Sequence, residues 1–209
     1  HTVCISANHA KRHGRKVYVY NGIDPDEFIF NERKGNSLLF FSKVRRRVKG
    51  ARRALQLAKD NQQALMVAGG YRFDLFKVGG FWNSLRPGVR FLGELGGLEK
   101  ARRFAEAKAL LFPIDWEEPF GLVMIEALMS GTPVIATPRG SVPELINSEV
   151  GAMFEKDEDF PQALAHALKC EPRRCREWAI THFSSRVCAT NYLALYERVI
   201  AREPVFSLN

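Results

Sequence analysis

The sequence lacks most of the features that would place it in a membrane, a disulfide scaffold or an ATPase. Its longest stretch without Asp, Glu, Lys or Arg runs from Ala127 to Pro138, 12 residues, against the roughly 20 that a spanning helix needs. Its four cysteines (Cys4, Cys170, Cys175, Cys188) are too few for a framework in 209 residues. Cys170 and Cys175 have no second pair or histidine cluster to complete a zinc site, so all four are read as reduced thiols, which suits a cytoplasmic location. No Gly-x4-Gly-Lys-Ser/Thr loop is present, and no Gly-x-Gly-x-x-Gly opens the first helix of the repeat described below. No nucleophile stands beside a base: His9, His13, His166 and His182 fall in amphipathic or terminal segments and read as surface or packed histidines. There is no internal repeat or low-complexity tract. The first residue is His1, and no basic-then-apolar leader follows; the chain is expected to be a fragment.

What is present suits one ordinary domain, or one with a piece of another. With 46% hydrophobic residues and 15 Phe, the chain can bury roughly 70% of its unfolded surface and needs no metal or disulfide to support a core. The formal charge is +8, but it is concentrated. Lys43, Arg45, Arg46, Arg47, Lys49, Arg52 and Arg53 form a run with no acid, and the rest of the chain is close to neutral. A local patch suits a compact anion such as a diphosphate as well as a polymer.

Short apolar runs alternate with amphipathic stretches. Leu38–Phe41, Ala64–Ala68, Val89–Leu92, Ala109–Phe112 and Pro133–Ala136 read as strands, with Gly151–Phe154 as a short sixth. Their nearly continuous hydrophobicity predicts a parallel sheet covered on both faces. Gly50–Asp60, Leu98–Ala107 and Phe120–Ser130 read as helices, the last stopped by Gly131 with Pro133 beyond. This is the doubly wound α/β pattern, a mostly parallel Rossmann-like sheet with helices on both faces. Val3–Ser6 reads as the last strand of something upstream, with a basic segment to His13 and a connector through Asn21 to Pro25. Asp159–Lys169, Pro172–Thr181 and Ser184–Arg202 read as C-terminal helices. The chain thus divides into 1–20, a remnant and linker; 21–183, the α/β domain; and 184–209, a final helix and tail.

The densest chemistry lies between the fourth and fifth strands, in Glu117-Glu118-Pro119-Phe120-Gly121-Leu122-Val123-Met124-Ile125-Glu126. In doubly wound sheets, ligands sit at the carboxyl ends of strands. A loop ending in Pro-Phe-Gly lets a ligand approach the backbone closely at Gly121. The amides of Phe120, Gly121, Leu122 and Val123 are then expected to face a phosphate, favoured by the helix dipole. Glu118 and Glu126, eight positions apart, span roughly 10 Å at 1.5 Å per residue. Each carboxylate can accept from two vicinal hydroxyls, so one could hold a sugar and the other a ribose. The competing reading makes Glu118 a helix cap and Glu126 a solvated side chain. Across the crevice, Ser42 to Gly50 leaves the first strand and opens a helix; Lys43 and Lys49 are expected to flank a diphosphate from the wall opposite Phe120 and Gly121. A third turn, Arg139 to Glu144, either contacts ligand or simply starts a helix.

Together these residues resemble the nucleotide-sugar-binding C-terminal domain of GT-B glycosyltransferases of family 4, also called group 1. Asn21-Gly22-Ile23-Asp24 resembles the interdomain hinge, Lys49-Gly50 the phosphate loop, and Val89-Arg90-Phe91-Leu92-Gly93 the strand bordering the base. Glu118 and Glu126 match the E-x7-E motif, followed by Gly131 to Ala136 and Gly140 to Glu144. The resemblance implies retaining, metal-independent transfer of a sugar, of hexosyl type, from a UDP-, GDP- or ADP-sugar to an acceptor hydroxyl. It implies catalytic roles for Glu118, on the sugar, and for Lys43 and Lys49, on the leaving diphosphate. Ser42, Arg45, Gly50, Phe120, Gly121, Leu122, Val123 and Glu126, the last on the ribose, would bind donor, with no metal or other cofactor. Where the family carries Gly-Arg after the first strand, this sequence has Ser42-Lys43, which leaves Lys43, Arg45 or Arg46 to replace that arginine. The acceptor site would lie in a missing N-terminal domain, without which this half is expected to be inactive, and through which the enzyme could touch a membrane peripherally. Two other readings stand beside it: a basic module for nucleic acid or an anionic surface, and a non-transferring GT-B relative such as a nucleotide-sugar epimerase.

Overall fold

The computed structural model describes residues 2–204. Its centre is a six-stranded sheet in the order β3-β2-β1-β4-β5-β6. The strands are β1 (Ser37–Phe41), β2 (Ala64–Ala68), β3 (Val89–Gly93), β4 (Leu110–Phe112), β5 (Val134–Ala136) and β6 (Gly151–Met153). All five pairings are parallel. Successive residues of a strand face opposite sides of the sheet, and here both sides are core. Leu39, Leu110, Phe112, Val134 and Ala136 enter one apolar layer; Leu38, Phe40, Leu111 and Ile135 enter the other. That is why the strands read as unbroken hydrophobic runs.

Helices close both layers. On one face lie α2 (Ala51–Asp60) and α8 (Phe160–Ala167), which bury Ala54, Leu55, Leu57, Phe160 and Leu164. On the other lie α6 (Leu122–Met129), α9 (Pro172–Phe183) and Phe104 of α5 (Gly97–Glu106). The final helix α10 (Ser185–Ile200) follows α9 directly and packs on it. Among the described residues no helix is long and apolar enough to cross a membrane.

The structure corrects two expectations and adds two helices that the hydrophobic pattern does not mark. Between β2 and β3 stand two helices of four residues, α3 (Leu75–Val78) and α4 (Phe81–Ser84); single turns are too short to show a 3.6-residue period. Val3–Ser6 is not a strand: Cys4 makes one isolated parallel bridge with Tyr18, and Ser6 caps a short helix α1 (Ala7–Arg12) by accepting from the His9 amide. Helix α6 begins at Leu122 rather than Phe120, because Gly121 takes the left-handed conformation (φ 83°) that ends the loop. His1 and the last five residues of the expected C-terminal tail lie outside the described residues.

Lys34 ties two helix ends together from below. Its Nζ donates to Ala105 O (3.1 Å) at the end of α5, to Ser130 O (2.8 Å) at the end of α6, and to Thr132 Oγ1 (3.0 Å). A cation suits two helix C-termini, but burial lowers its pKa from 10.5 to about 8. The unfolded chain therefore keeps this proton to higher pH than the folded one, and stability should rise from about pH 8 towards 10.5. Buried Cys175, pushed up from 9 to about 12, acts in the opposite sense above pH 9. Lys34→Met should accordingly flatten the increase in urea midpoint between pH 8 and 9; an unchanged slope would contradict it.

Candidate functional site

Strands β1 and β4 are neighbours, yet the chain leaves β1 towards β2 and β4 towards β5, on opposite sides. Such a reversal opens a crevice at the carboxyl ends of the two strands. A cleft of about 700 Å³ occupies it, within the ordinary range for a small-molecule site. Ser42, Lys43, Arg46 and Lys49 form one wall, and Trp116 to Leu122 contribute most of the other. Phe41 and Gly69 lie at the strand ends, Glu94 and Leu95 beyond β3, and Ile5 and Asn21 at the N-terminal side.

The two loops are fastened to each other. The first ends in a 3-10 turn, Arg47–Lys49, and Gly50 at φ 81°. A Cβ at Gly50 would stand 2.1 Å from Pro113 O, so only glycine lets the loops approach this closely. The Asp115 amide donates to Val48 O (2.8 Å).

The turn after β5 holds the second loop from behind. Thr137 Oγ1 donates to Ile114 O (2.6 Å) and Ser141 Oγ to Phe120 O (2.7 Å). The Ser141 amide donates to Glu118 O (2.9 Å), and the Gly140 amide to Glu117 Oε2 (3.0 Å). Arg139 to Glu144 is thus a buttress and does not line the cleft. The N-terminal segment docks beside it. Ser6 Oγ donates to Pro119 O (2.6 Å), while Glu144 accepts from the Ala7 and Asn8 amides (2.8 and 2.7 Å) and from the Tyr20 hydroxyl (3.1 Å). Burial, and then the Glu144 charge, raise the Tyr20 pKa well above its usual value.

Inside the cleft, Lys49 Nζ lies 2.7 Å from Glu118 Oε2. Trp116 Nε1 donates to the same oxygen (3.0 Å), and Lys49 Nζ stands 4.2 Å from the centre of the Trp116 ring. Both charged side chains are largely withdrawn from water, at 15% and 10% exposure. Lys49 therefore stands on the wall that the sequence pattern gives it, and its side chain reaches across to Glu118.

Of the sequence-derived site residues, Ser42, Lys43, Lys49, Glu118, Phe120, Gly121 and Leu122 line the cleft; Arg45, Gly50, Val123 and Glu126 do not. The Phe120 ring packs into the core between Tyr20 and Phe183, which leaves its backbone to face the cleft. Glu126 borders a separate recess of about 460 Å³ and binds Lys100 Nζ (2.6 Å); Lys100 in turn sits 5.5 Å from the ring of Phe41. Because Glu118 precedes the helix, the rise of 1.5 Å per residue does not measure its separation from Glu126. Of the three residues that could replace the family arginine, Lys43 and Arg46 line the cleft; Trp116, Glu94 and Lys100 are additions that no signal in the sequence marks. The basic run is not one surface either, since Lys49 turns inward and Arg53 bonds Asp157 and Glu155 O.

Two left-handed glycines separate backbone strain from crowding. Gly14 (φ 61°) has nothing near its missing Cβ, whereas at Gly140 (φ 62°) that carbon would meet Glu118 N and O at 2.3 Å. Gly14→Ala should cost about 1–2 kcal/mol from backbone conformation alone. Gly140→Ala should cost clearly more in urea denaturation and should loosen the Glu118 loop; equal costs would refute the buttress.

The model of the family "Glycosyl transferases group 1" matches residues 23–180. Among curated proteins, a phosphatidyl-myo-inositol mannosyltransferase of Mycobacterium tuberculosis is 30% identical over 164 residues, 72% of this chain and 43% of that one. A D-inositol 3-phosphate glycosyltransferase of Streptomyces griseus is 39% identical over 80 residues, 38% of this chain and 16% of that one. Among solved structures, AviGT4, a glycosyltransferase involved in avilamycin A biosynthesis, superposes with a TM-score of 0.82 at 24% identity, over 95% of this chain and 64% of its own. HepE of Anabaena, in complex with UDP and glucose, superposes at 0.75 and 16% identity, over 95% and 62%. The chain spans less than half of these curated relatives and less than two thirds of these solved chains. With three quarters of its length matched and the sheet order and switch-point cleft in place, the chain belongs to the group 1 glycosyl transferases.

Proposed function

We propose that this chain is the donor-binding half of a retaining glycosyltransferase that moves a hexosyl group from an NDP-sugar to an acceptor hydroxyl. The carrying observation is the secluded Lys49–Glu118 pair in a cleft that also presents Lys43 and Arg46. In transfer, the bond between the anomeric carbon and the diphosphate oxygen breaks as one to the acceptor oxygen forms, and the acceptor's proton passes to the departing diphosphate. Negative charge grows on the departing phosphate, and fixed cations in a water-poor cleft stabilise it most. Lys43, Lys49 and Arg46 would meet that charge. Arg46, which lines the cleft where Arg45 does not, takes the place of the family arginine, and its guanidinium can grip phosphate bidentately.

Without donor, Lys49 and Glu118 neutralise each other. Donor binding would exchange partners: Lys49 turns to the diphosphate, and Glu118, still held by Trp116 Nε1, accepts from sugar hydroxyls. The Gly121 and Leu122 amides would approach the phosphates from the other wall. Glu126 would take the ribose after release from Lys100. No metal is required, because the cations are side chains. The acceptor site, and hence turnover, would need the N-terminal domain that precedes this half in GT-B enzymes. A cytoplasmic location would fit a donor of this kind.

Calorimetry with UDP, GDP and ADP tests the reading, with one of them expected to bind. Lys49→Ala should weaken it by roughly 10- to 150-fold, the loss of a charged hydrogen bond of about 1.5–3 kcal/mol. Glu118→Gln should tighten the free nucleoside diphosphate, by releasing Lys49, yet weaken the matching NDP-sugar. Glu126→Ala should weaken the nucleoside diphosphate more than pyrophosphate. Unchanged affinity in Lys49→Ala would remove the cleft from donor binding.

A further inference from the structure

Between β2 and β3, a 3-10 turn (Arg72–Asp74), α3 and α4 present aromatic side chains outward. Phe73, Phe76 and Trp82 are 74%, 65% and 80% exposed. They do not stand singly. The ring centres of Phe76 and Phe81 are 4.1 Å apart, Phe73 lies 6.2 and 6.3 Å from those two rings, and Trp82 lies edge-on to Phe81 at 5.6 Å. Isolated exposed apolar residues are ordinary, but a contiguous aromatic cluster marks an interaction surface.

The surround of this cluster is cationic. The segment that carries the cluster, Tyr71 to Leu85, holds two basic residues, Arg72 and Lys77, and one acid, Asp74. That acid is engaged by the Tyr71 amide at 2.8 Å. Exposed Arg52 runs its side chain beside Gly79, just before α4, and Lys59 reaches Asn83 Oδ1 (3.5 Å) within it; the neighbouring acid, Asp60, accepts two bonds from Gln56 (2.8 and 2.9 Å). Phe and Trp settle at the boundary between lipid headgroups and acyl chains, and Lys and Arg are drawn to anionic headgroups. A protein partner of matching shape would be served by aromatics alone; the cationic border adds complementarity to a negatively charged plane.

We propose that this face docks on an anionic bilayer surface, with Phe73, Phe76 and Trp82 entering the interface and Arg52, Lys59 and Lys77 meeting headgroups. The proposal is independent of the donor reading, since none of these residues lines the cleft.

Sedimentation of the 209-residue chain with vesicles tests it. Binding is expected to vesicles of phosphatidylglycerol and phosphatidylcholine in equal parts, and at least about tenfold weaker to phosphatidylcholine alone. Combined Phe73→Ser, Phe76→Ser and Trp82→Ser should abolish binding while circular dichroism stays native. Should that variant fail to fold, Lys77→Glu and Arg52→Glu provide the second test, each weakening binding about fivefold or more. Brominated lipid should quench tryptophan fluorescence in the parent and lose that effect in Trp82→Phe, with Trp116 and Trp178 as the remaining emitters. Absence of vesicle binding, equal binding to both lipids, or quenching unchanged in Trp82→Phe would overturn the proposal. So would sedimentation equilibrium showing a dimer that the triple variant dissolves while the parent ignores vesicles.

Discussion

The contact between Lys49 and Glu118 is the constraint on which the cleft depends. A cation and a carboxylate this withdrawn from water repay their desolvation only when geometry is good and the remaining lone pairs are used. Here the separation is 2.7 Å, and Trp116 donates to the same carboxylate oxygen. Neither residue could meet the other unless β1 and β4 were adjacent, since 69 positions separate them in the chain. The doubly wound topology supplies that adjacency, and the reversal at the same point leaves the space in which they stand.

A pair held so closely demands rigid loops, and the surrounding contacts are of that kind. Gly50 admits the Pro113 carbonyl, Gly140 admits the Glu118 backbone, and Ser141 and Thr137 satisfy carbonyls of the loop that would otherwise be buried without partners. Unsatisfied buried carbonyls cost about 1–3 kcal/mol each, so these hydroxyls determine where the loop rests. The N-terminal segment joins the same network through Ser6 and Glu144. Far from being a loose tether, it helps to shape the wall that carries Glu118.

Much of this arrangement is legible from residues alone. Continuous apolar runs announced buried parallel strands because both faces of this sheet are core, and the Glu-Pro-Phe-Gly run from Glu118 to Gly121 marked one wall of the cleft. Other features left no trace. Helices α3 and α4 are single turns with no period to detect. Arg45 and Arg46 are equivalent in sequence, and only the path of the 3-10 turn brings Arg46 to the cleft. Lys100, the partner of Glu126, lies in a helix whose charge pattern is that of any amphipathic surface.

Taken by itself, the order of amino acids determined the class of fold, the location of the site at strand ends and the kinds of side chain gathered there, because hydrophobic periodicity and glycine placement act locally. Tertiary structure decided which charges pair. Lys49 faces Glu118, Lys100 faces Glu126 and Arg53 faces Asp157, and each choice depends on separations of a few ångströms between segments distant in the chain. Local preference carries no information about such distances; the packing of helices on the sheet creates them.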